Sequence, residues 1–539
     1  MDFNFKYVII GSGSAGSVIA NRLSENPKNS VCLIEAGPSD SLPQIKMPLA
    51  ASSLFKNKKY GWCDESIPQS KLLNRSINSP RGKTLGGSSS INGMVYIRGQ
   101  QEDYNSWLDG KFGWDFNSLL PYFISLENNQ DLVDQYHGNF GPLWVETFKG
   151  SLPASDLFMQ ACANYGLQHN EDFNGNNQEG YGHYQTNIKN GQRFSAADAF
   201  LKSIQERSNL TIFTSAHVNK LIIHRDTAVG VEITHNNINK VITSNKDIIL
   251  SAGTFNSPKI LMLSGIGNYE ELEKHSITGV RDLPGVGKNL KDHLTVNLSV
   301  LLKSHYQTFK EKMTFFSTIK ELSSYLFSKK GLYTYPAADI GVFFKSSSDK
   351  ERPDAQIHFA PGAGKYHKNG KMSPESGITA SVTILRPKSS GSVAIASSNP
   401  ADAPLIDPNY LSADEDLLDL RNAVKITREI LSSSPIKEEM IREILPGEDI
   451  KTDGALDQFI KETGLSVYHP VGTCKMGFDE MSVVDNYLRV WGIKNLRVAD
   501  LSIAPDIISG NTMHWEMLLE QNAPMLFLKL IKVLQLEKV

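Results

Sequence analysis

Three glycines and one glutamate near the start of the chain have the spacing of a phosphate- and ribose-binding site. Gly11, Gly13 and Gly16 lie in the segment Gly-Ser-Gly-Ser-Ala-Gly, and Glu35 follows nineteen residues after the last of them. Glycine at the first two positions allows a sharp turn and a close backbone approach to a pyrophosphate, while Gly16 allows a helix to pack closely on a sheet. A carboxylate at position 35 can accept hydrogen bonds from ribose hydroxyl groups. The pattern predicts binding of an adenine dinucleotide.

The elements that must position these residues are also readable. The apolar run at residues 6–10 predicts a strand, the amphipathic segment through Leu23 predicts a helix, and residues 31–34 predict a second strand. The N-terminus of that helix would offer unpaired N–H groups and a partial positive charge to the phosphates. Strand, glycine turn, helix, strand and acid together form the βαβ unit of a Rossmann-like domain.

Bulk composition narrows the class of protein. The chain has 539 residues and a formal net charge of −3, so we expect several domains. No basic run is interleaved with aromatic residues, which argues against a nucleic-acid partner. The four cysteines lack metal-ligand spacing, so we predict no metal site, no disulfide framework and a reducing, cytoplasmic location. We read no signal peptide at the N-terminus, because a strand begins there within a few residues.

The C-terminal run at residues 525–534 is the most apolar stretch, but it is too short for a membrane span and carries two lysines. We predict a docked terminal helix there, with a weak membrane association as the alternative.

Further along the chain, residues 80–93 are rich in glycine and serine. We interpret them as a backbone-rich cradle around a ligand, with a plain surface loop as the alternative. Polar stretches at 346–352 and 362–373 predict exposed loops. The other predicted strands are residues 210–213, 220–223, 229–233, 247–250, 355–359 and 496–500, and predicted helices are residues 257–263 and 414–431.

Four co-linear segments resemble the glucose–methanol–choline oxidoreductase family, flavoenzymes that oxidise alcohols with FAD. They are the opening unit through residue 38, residues 81–92, residues 253–267, and residues 468–477 followed by Asp500 and Gly510-Asn511-Thr512. Residues 95–99, 189–193 and 404–411 are similar to the bacterial choline dehydrogenase and aliphatic alcohol dehydrogenase branch.

The resemblance implies an α/β (α+β) fold with two interleaved domains. A Rossmann-like FAD-binding domain would comprise residues 1–150, 207–300 and 480–539. A substrate-binding domain built on an antiparallel sheet would comprise residues 151–206 and 301–479. Such interleaving usually places the active site between the domains.

The resemblance also implies residue roles. His469 matches the base beside the flavin N5 that takes the substrate hydroxyl proton during hydride transfer, and Asn511 matches its hydrogen-bonding partner. The positions implied to bind FAD are Gly11, Gly13, Ser14, Ala15, Gly16, Glu35, Ala36, Gly87, Ser88, Asn92, Gly93, Val95, Val218, Asp500, Asn511 and Thr512.

The chemistry supports these roles independently of the resemblance. Hydride leaves a carbinol carbon readily only as the hydroxyl proton is removed, and histidine titrates in the range that suits this task. An asparagine amide can stabilise the alkoxide-like charge that develops. We therefore predict oxidation of a primary alcohol, with kcat/KM falling as the pH drops through about 6–7. The electron acceptor would be dioxygen, a quinone or another carrier.

Four other functions remain as alternatives. A choline-type dehydrogenase or oxidase would need an aromatic cage or a carboxylate for the ammonium group. A lyase or light-driven decarboxylase also occurs within this fold, and a non-enzymatic flavin carrier would need neither His469 nor Asn511.

Two departures from the family pattern bear on the site. Ile91 stands where flavin-linked members have histidine, so FAD is expected to be non-covalent. After Thr512 the chain continues Met513-His514-Trp515, whose bulky apolar residues predict an apolar substrate pocket. His514 is either a packed histidine, which we favour, or a second polar contact.

Overall fold

Two seven-stranded sheets organise the chain. The computed structural model describes residues 3–303, 306–366, 372–514 and 517. The helices in this part of the chain are Ser14–Ser24, Pro43–Lys46, Gln101–Asn105, Phe116–Leu126, Pro153–Tyr165, Gly253–Leu263, Tyr269–Glu273, Phe309–Lys312, Phe315–Ser328, Asp414–Leu431, Ile436–Glu439 and Asp453–Thr463. Short 3₁₀ turns include Pro48–Leu54, Gly87–Ser90, Leu332–Thr334 and Leu501–Ile503.

The first sheet contains the predicted βαβ unit. Phe3–Ile10 pairs in parallel with Val31–Ile34 on one side and with Ile238–Leu250 on the other. The spatial order is Ala216–His224, Thr227–His235, Ile238–Leu250, Phe3–Ile10, Val31–Ile34 and Leu210–Phe213, with Leu496–Val498 paired to Ile238–Leu250. The fully buried strands at its centre read as continuous apolar runs, as expected where a sheet is covered on both faces.

The second sheet is antiparallel throughout. Its order is Met440–Leu445, Leu294–Leu302, Gly377–Ile384, Ala355–Ala360, Ile340–Phe344 and Gly180–His183, with Leu465–Ser466 paired to Leu294–Leu302. A separate hydrophobic core packs against it, to which the helix Asp414–Leu431 contributes. The predicted α/β fold with a second, antiparallel unit is confirmed.

Smaller sheets complete the framework. Two have three strands: Lys288–Leu290 with Gly391–Ala394 and Leu405–Asp407, and Glu127–Asn129 with Leu143–Thr147 and Gln185–Thr186. Three are pairs: Ile266–Gly267 with Arg281–Asp282, Ile188–Lys189 with Gln192–Arg193, and Ala363–Tyr366 with Met372–Glu375.

Two predicted elements differ from the structure. The helix that we expected at residues 257–263 is Gly253–Leu263, because Asp500 accepts hydrogen bonds from the Gly253 N–H and the Ser257 hydroxyl and so supports an earlier first turn. Within the predicted loop at 362–373, Ala363–Tyr366 pairs with Met372–Glu375 as two antiparallel strands. These two strands are held together by backbone pairing. The sequence did not predict them because they lack an alternating apolar pattern.

The domain boundaries stay a prediction, with one observation to refine them. Residue 300, at which we divided the domains, lies inside the strand Leu294–Leu302, and that strand belongs to the second sheet.

No helix in the described ranges is both long and apolar enough to cross a membrane. The helix predicted at residues 525–534 lies outside the described residues.

Candidate active site

A cavity opens at the carboxyl end of the first strand, and we call it the Glu35 cavity. It is lined by residues of the glycine turn, the two strand ends and the 80–93 segment, among them Ile10, Gly11, Gly13, Ser14, Glu35, Ala36, Arg81, Gly87, Ser88, Val218, Ser251 and Gly253. Gly11 has a φ of +98°, and a Cβ atom there would lie 2.2 Å from the Ser251 carbonyl oxygen. Only glycine can make this turn.

The 80–93 segment approaches the glycine turn directly. Gly87 has a φ of +54°, and a Cβ atom built on it would lie 2.6 Å from the Gly13 Cα. Two glycine-rich stretches thus meet backbone to backbone at the cavity wall. This contact supports the interpretation of residues 80–93 as a cradle.

The Glu35 carboxylate is buried and well supplied with donors. It accepts hydrogen bonds from the Ser12 N–H at 3.0 Å, the Ser12 hydroxyl at 2.7 Å and the Gly37 N–H at 2.8 Å. Burial raises its pKa, while the hydrogen bonds from Ser12 and Gly37 oppose that shift. Through its bonds to Ser12, Glu35 therefore also stabilises the glycine turn.

A second cavity, of about 390 Å³, contains both predicted catalytic residues, and we call it the His469 cavity. Its lining includes Phe55, Ile91, Asn92, Gly93, Met94, Val95, Thr295, Ala337, Ala338, His358, Val467, Tyr468, His469, Leu501, Asn511, Thr512 and Met513. Arg81, Ser88, Gly253 and Thr254 line both cavities. The two spaces therefore adjoin and lead from Glu35 to His469.

Hydrogen bonds fix which nitrogen of His469 carries the proton. His293 Nε2 lies 2.9 Å from the Leu385 carbonyl oxygen, which can only accept, so Nε2 bears hydrogen and Nδ1 is an acceptor. His469 Nδ1 lies 3.0 Å from His293 Nδ1 and must then be the donor. His469 Nε2 keeps its lone pair, which is the form that a general base requires.

Asn511 completes this chain of bonds. Its Nδ2 amide donates to His469 Nε2 at 3.1 Å, and its Oδ1 lies 3.3 Å from His358 Nε2 and 3.4 Å from Gln356 Nε2. The two latter groups hold the amide oxygen, so the amide nitrogen faces the base. A donor at this place suits a developing alkoxide.

The backbone of His469 is held by Asp292. This carboxylate accepts from the His469 N–H at 2.8 Å and, through its other oxygen, from the Ser466 and Tyr410 hydroxyls at 2.5 Å each. Tyr468 has a φ of +68°, so the chain turns sharply just before the base. Asp292 thereby fixes the backbone from which the His469 side chain projects.

Burial keeps the histidines of this site neutral. The pKa of His469 lies well below 6.5, mainly because burial disfavours the cation and further because His293, His358 and Arg81 are nearby. Burial lowers the pKa of His358 to about 4 and also lowers the pKa of His293. Neutral rings at all three positions agree with the hydrogen-bond assignment.

The structure brings most of the predicted residues to the two cavities, but three of them line neither. Ala15 and Gly16 lie in the first turn of the helix Ser14–Ser24, where a Cβ atom on Gly16 would lie 1.9 Å from the Gly11 carbonyl oxygen. Asp500 is buried under the helix Gly253–Leu263 and bonds to its first turn. A direct cofactor contact by these three residues stays a prediction.

Sequence reasoning missed His293 and His358. One signal was available for the latter, since Gln356 and His358 put polar groups on one face of the otherwise apolar strand Ala355–Ala360. His293 follows Asp292 with no local pattern that marks it. Its role depends on two partners, Leu385 and His469, that are distant in sequence.

The structure also locates His514, Met513 and Asn92, which the sequence analysis singled out. His514 is fully buried, bonds to Asn187 and packs on Tyr96, which agrees with the packed reading. Met513 lines the His469 cavity, while Trp515 lies outside the described residues. Asn92 is fixed by Arg193, which donates to its side-chain and backbone oxygens at 2.5 and 2.6 Å.

Comparison with known families agrees with this geometry. Residues 5–295 match the N-terminal part and residues 387–519 the C-terminal part of GMC oxidoreductase. The chain belongs to the GMC oxidoreductase family. It is an FAD-dependent oxidoreductase that acts on CH–OH donors.

Individual relatives extend over nearly the whole chain. An alcohol dehydrogenase [acceptor] of Pseudomonas putida is 42% identical over 538 residues, covering 99% of this chain and 97% of the relative. An oxygen-dependent choline dehydrogenase of Brucella anthropi is 42% identical over 509 residues, covering 94% and 92%.

Solved structures show the same fold. Pyridoxine 4-oxidase from Mesorbium loti has a TM-score of 0.87 at 29% identity, covering 96% of this chain and 98% of that one. Formate oxidase from Aspergillus oryzae has a TM-score of 0.91 at 26% identity, covering 98% and 99%.

The residues present fit FAD. The adjoining cavities suit an extended dinucleotide, and two buried hydroxyl oxygens in the Glu35 cavity, Ser14 Oγ and Ser251 Oγ, lack a hydrogen-bond partner in the described part of the chain. Ser14 begins a helix, where phosphate binding is favoured. The Glu35 cavity would hold the adenine half, and the His469 cavity would hold the flavin ring.

Glu35→Ala should weaken FAD binding while leaving the chemical step nearly intact. Loss of charge-assisted hydrogen bonds of about 1.5–3 kcal/mol corresponds to about a 10- to 150-fold higher Kd for FAD. Flavin content after dialysis measures this change, with Glu25→Ala at the exposed end of the same βαβ helix as the control. Excess FAD should restore most of the turnover. Turnover that stays low with the site filled would give Glu35 another role.

Proposed function

We propose that this enzyme oxidises a primary alcohol, aliphatic or aromatic, to the aldehyde, with His469 as the general base. The observation that carries the proposal is the bond chain from Leu385 through His293 to His469, which leaves the lone pair of His469 Nε2 facing Asn511. Bound FAD supplies the hydride acceptor for this reaction.

The protein residues divide the remaining work. His469 Nε2 takes the hydroxyl proton, and His293 holds the ring in the tautomer that can do so. The Asn511 amide donates to the substrate oxygen as negative charge develops on it. His358 and Gln356 hold the amide oxygen of Asn511 and so prevent the amide group from rotating by 180°.

The lining of the His469 cavity favours a neutral substrate over choline. No Asp or Glu lines it within the part of the chain that the structure describes, and its aromatic residues are Phe55 and Tyr468. Arg81, a cation, lines the cavity as well. A quaternary ammonium group would meet a positive charge here and no carboxylate, so we propose that choline is a poor substrate.

The pair of His469 and Asn511 also favours oxidation over the other activities known for this fold. A light-driven decarboxylase or a flavin carrier has no need for a neutral base bonded to an amide donor. A non-oxidative lyase would use such a base on the hydroxyl group of its substrate, but it would leave the flavin oxidised. Bleaching of the flavin by an alcohol under anaerobic conditions would exclude all three.

We expect kcat/KM to rise with chain length across short primary alcohols. Each methylene buried among Ile91, Val95, Ala337 and Met513 should contribute about 0.8 kcal/mol, or about fourfold in kcat/KM, until the cavity is full. Ethanol and hexanol should then differ by about 250-fold. Anaerobic flavin reduction by ethanol, butanol, hexanol, benzyl alcohol and choline measures the profile.

The variant Met513→Ser serves as the comparison for this panel, because it makes one wall of the cavity polar. It should flatten the dependence on chain length without abolishing flavin reduction. A preference for choline, or a flat profile in the unmodified enzyme, would overturn the apolar-pocket proposal while leaving the redox chemistry intact.

We also propose that FAD is held without a covalent bond. Ile91 lines the His469 cavity, and its hydrocarbon side chain has no nucleophilic atom for a flavin linkage. Acid precipitation should therefore release yellow flavin into the supernatant. Colour retained in the pellet would contradict this.

The electron acceptor and the location complete the proposal. The acceptor is dioxygen, a quinone or another carrier; stopped-flow reoxidation with each one in turn distinguishes them. We propose a cytoplasmic location because all four cysteines are free thiols, three of them buried.

A further inference from the structure

The helix Phe315–Ser328 carries its apolar side chains on the outside of the molecule. Phe316 is 83% exposed and Phe327 is 91% exposed. Four more exposed apolar residues lie on the same side of the helix, at the spacing of three and four that defines one helical face: Phe315, Ile319, Leu322 and Leu326. Large apolar patches of this kind mark interaction sites.

The inner face of this helix is polar, which reverses the usual arrangement. Its buried residues are Glu321 and Tyr325. Glu321 accepts a hydrogen bond from the Leu332 N–H at 2.7 Å, and the Tyr325 hydroxyl donates to the Lys46 carbonyl oxygen at 3.0 Å. Polar bonds thus attach the helix to the molecule while its apolar side chains remain outside, so packing against the protein core does not explain the apolar residues.

The charge around the helix is positive, although the whole chain has a net charge of −3. Residues 310–330 contain five lysines and two glutamates. Both glutamates are engaged: Glu311 accepts from Thr308 and Ser376, and Glu321 accepts from Leu332 and pairs with Lys312 at 3.6 Å. Lys310 pairs with Glu375 at 3.6 Å, so Lys320, Lys329 and Lys330 supply the remaining positive charge. Exposed phenylalanines bordered by lysines match the chemistry of an interfacial helix that binds anionic lipid.

The helix also lies next to the substrate site along the chain. The helix packs on the 3₁₀ turn Leu332–Thr334, and its Tyr325 contacts the segment near Lys46. Ala337 and Ala338 follow this turn along the chain and line the His469 cavity. The helix is thus joined to one wall of the His469 cavity by a single short turn.

We propose that the outer face of the helix Phe315–Ser328 docks on the surface of an anionic lipid bilayer. The phenylalanines would enter the boundary between headgroups and acyl chains, and the lysines would contact the lipid phosphates. Docking here would place the enzyme where apolar alcohols concentrate. The docking surface itself does not rest on the proposed substrate, and it is made of other residues than the apolar run at 525–534.

Vesicle co-flotation of the full-length, FAD-loaded enzyme tests the proposal. We expect binding to vesicles of phosphatidylcholine with phosphatidylglycerol, weaker binding to phosphatidylcholine alone, and a decrease when NaCl rises from about 50 to about 500 mM. The double variant Phe316→Ser/Phe327→Ser should bind at least about tenfold less, because each phenylalanine loses its transfer into lipid. Lys320→Gln/Lys330→Gln should reduce the preference for the anionic lipid.

Phe140→Ser is the matched control, since Phe140 is 96% exposed but lies far from this helix in sequence. It should bind vesicles like the unmodified enzyme. All variants should keep their rate with a short, water-miscible alcohol and a dye acceptor, which separates lipid docking from catalysis.

Three results would overturn the proposal. The unmodified enzyme could fail to float with anionic vesicles, or the double phenylalanine variant could bind as tightly as the unmodified enzyme. Light scattering could instead show a dimer that the double variant dissociates, in which case a second copy of the chain covers this face.

Discussion

His469→Ala should slow anaerobic reduction of the flavin by an alcohol by about 10²–10⁴-fold, the range expected for loss of a positioned base. This loss corresponds to about 3–5 kcal/mol of activation free energy. The reason lies in the hydrogen bonds of His469, whose Nδ1–H is donated to His293 and whose Nε2 lone pair accepts from the Asn511 amide, the position at which the substrate hydroxyl would bind. Stopped-flow absorbance of the flavin measures the step directly.

Two comparisons make this result specific. Asn511→Ala removes one hydrogen bond and should slow the step by only about 10- to 100-fold. His224→Ala, at the exposed end of the strand Ala216–His224, should have no effect. Full activity in the His469 variant would place the base elsewhere, and His358 would then be the first residue to replace.

The pH profile follows from the same environment. The base must be neutral, and burial holds the pKa of His469 well below 6.5. The kcat/KM value should therefore stay level as the pH falls through 6–7 and decline only below that range. The sequence-based expectation of a decline at about pH 6–7 used the ordinary pKa of histidine and is corrected here, because desolvation disfavours the imidazolium ion.

The second large effect is expected for His293, which positions His469. His293→Ala removes the acceptor for His469 Nδ1–H, so the proton can move to Nε2 and block the base. Loss of the group that fixes a catalytic tautomer costs up to about 10⁴-fold in a catalytic triad, where that group is charged. For a neutral partner we expect about 10²–10³-fold on flavin reduction.

His293→Asn distinguishes this role from a merely structural one. Its amide oxygen can replace Nδ1 as the acceptor, so it should recover most of the rate that His293→Ala loses. Circular dichroism and FAD content check that both variants are folded and loaded. Equal rates in the two variants would show that His293 does not act through the tautomer of His469.

The cofactor half of the protein was largely determined by local sequence. The three glycines of the turn, Gly11, Gly13 and Gly16, are needed for the conformation and close approach of the backbone. Glu35 is placed by the end of the strand that precedes it. Both features depend on residues within a few tens of positions along the chain. The parallel strands Phe3–Ile10 and Val31–Ile34 and the helix between them agree with the prediction. The same holds for the strand at residues 355–360 and the helix Asp414–Leu431, because each has a periodic pattern over its own length.

The identities of His469 and Asn511 came from a motif, but the state in which they act came from the tertiary structure. The proton on Nδ1 of His469 is fixed by His293, which lies 176 positions earlier in the chain. The tautomer of His293 is fixed in turn by Leu385, which lies 92 positions after it. The lowered pKa of His469 depends on its burial and on the nearby His293, His358 and Arg81. Hydrogen bonds and desolvation are properties of neighbours in space, so no spacing along the chain encodes them.

The outward apolar face of the helix Phe315–Ser328 shows the same division. Its sequence has the periodicity of an amphipathic helix, which predicts an apolar face turned toward a core. Bonds from Glu321 and Tyr325 to Leu332 and Lys46 turn the other face inward. The sequence determines that the helix is two-sided, and the tertiary contacts decide which side meets the solvent, because the orientation of a helix is set by the partners on which it packs.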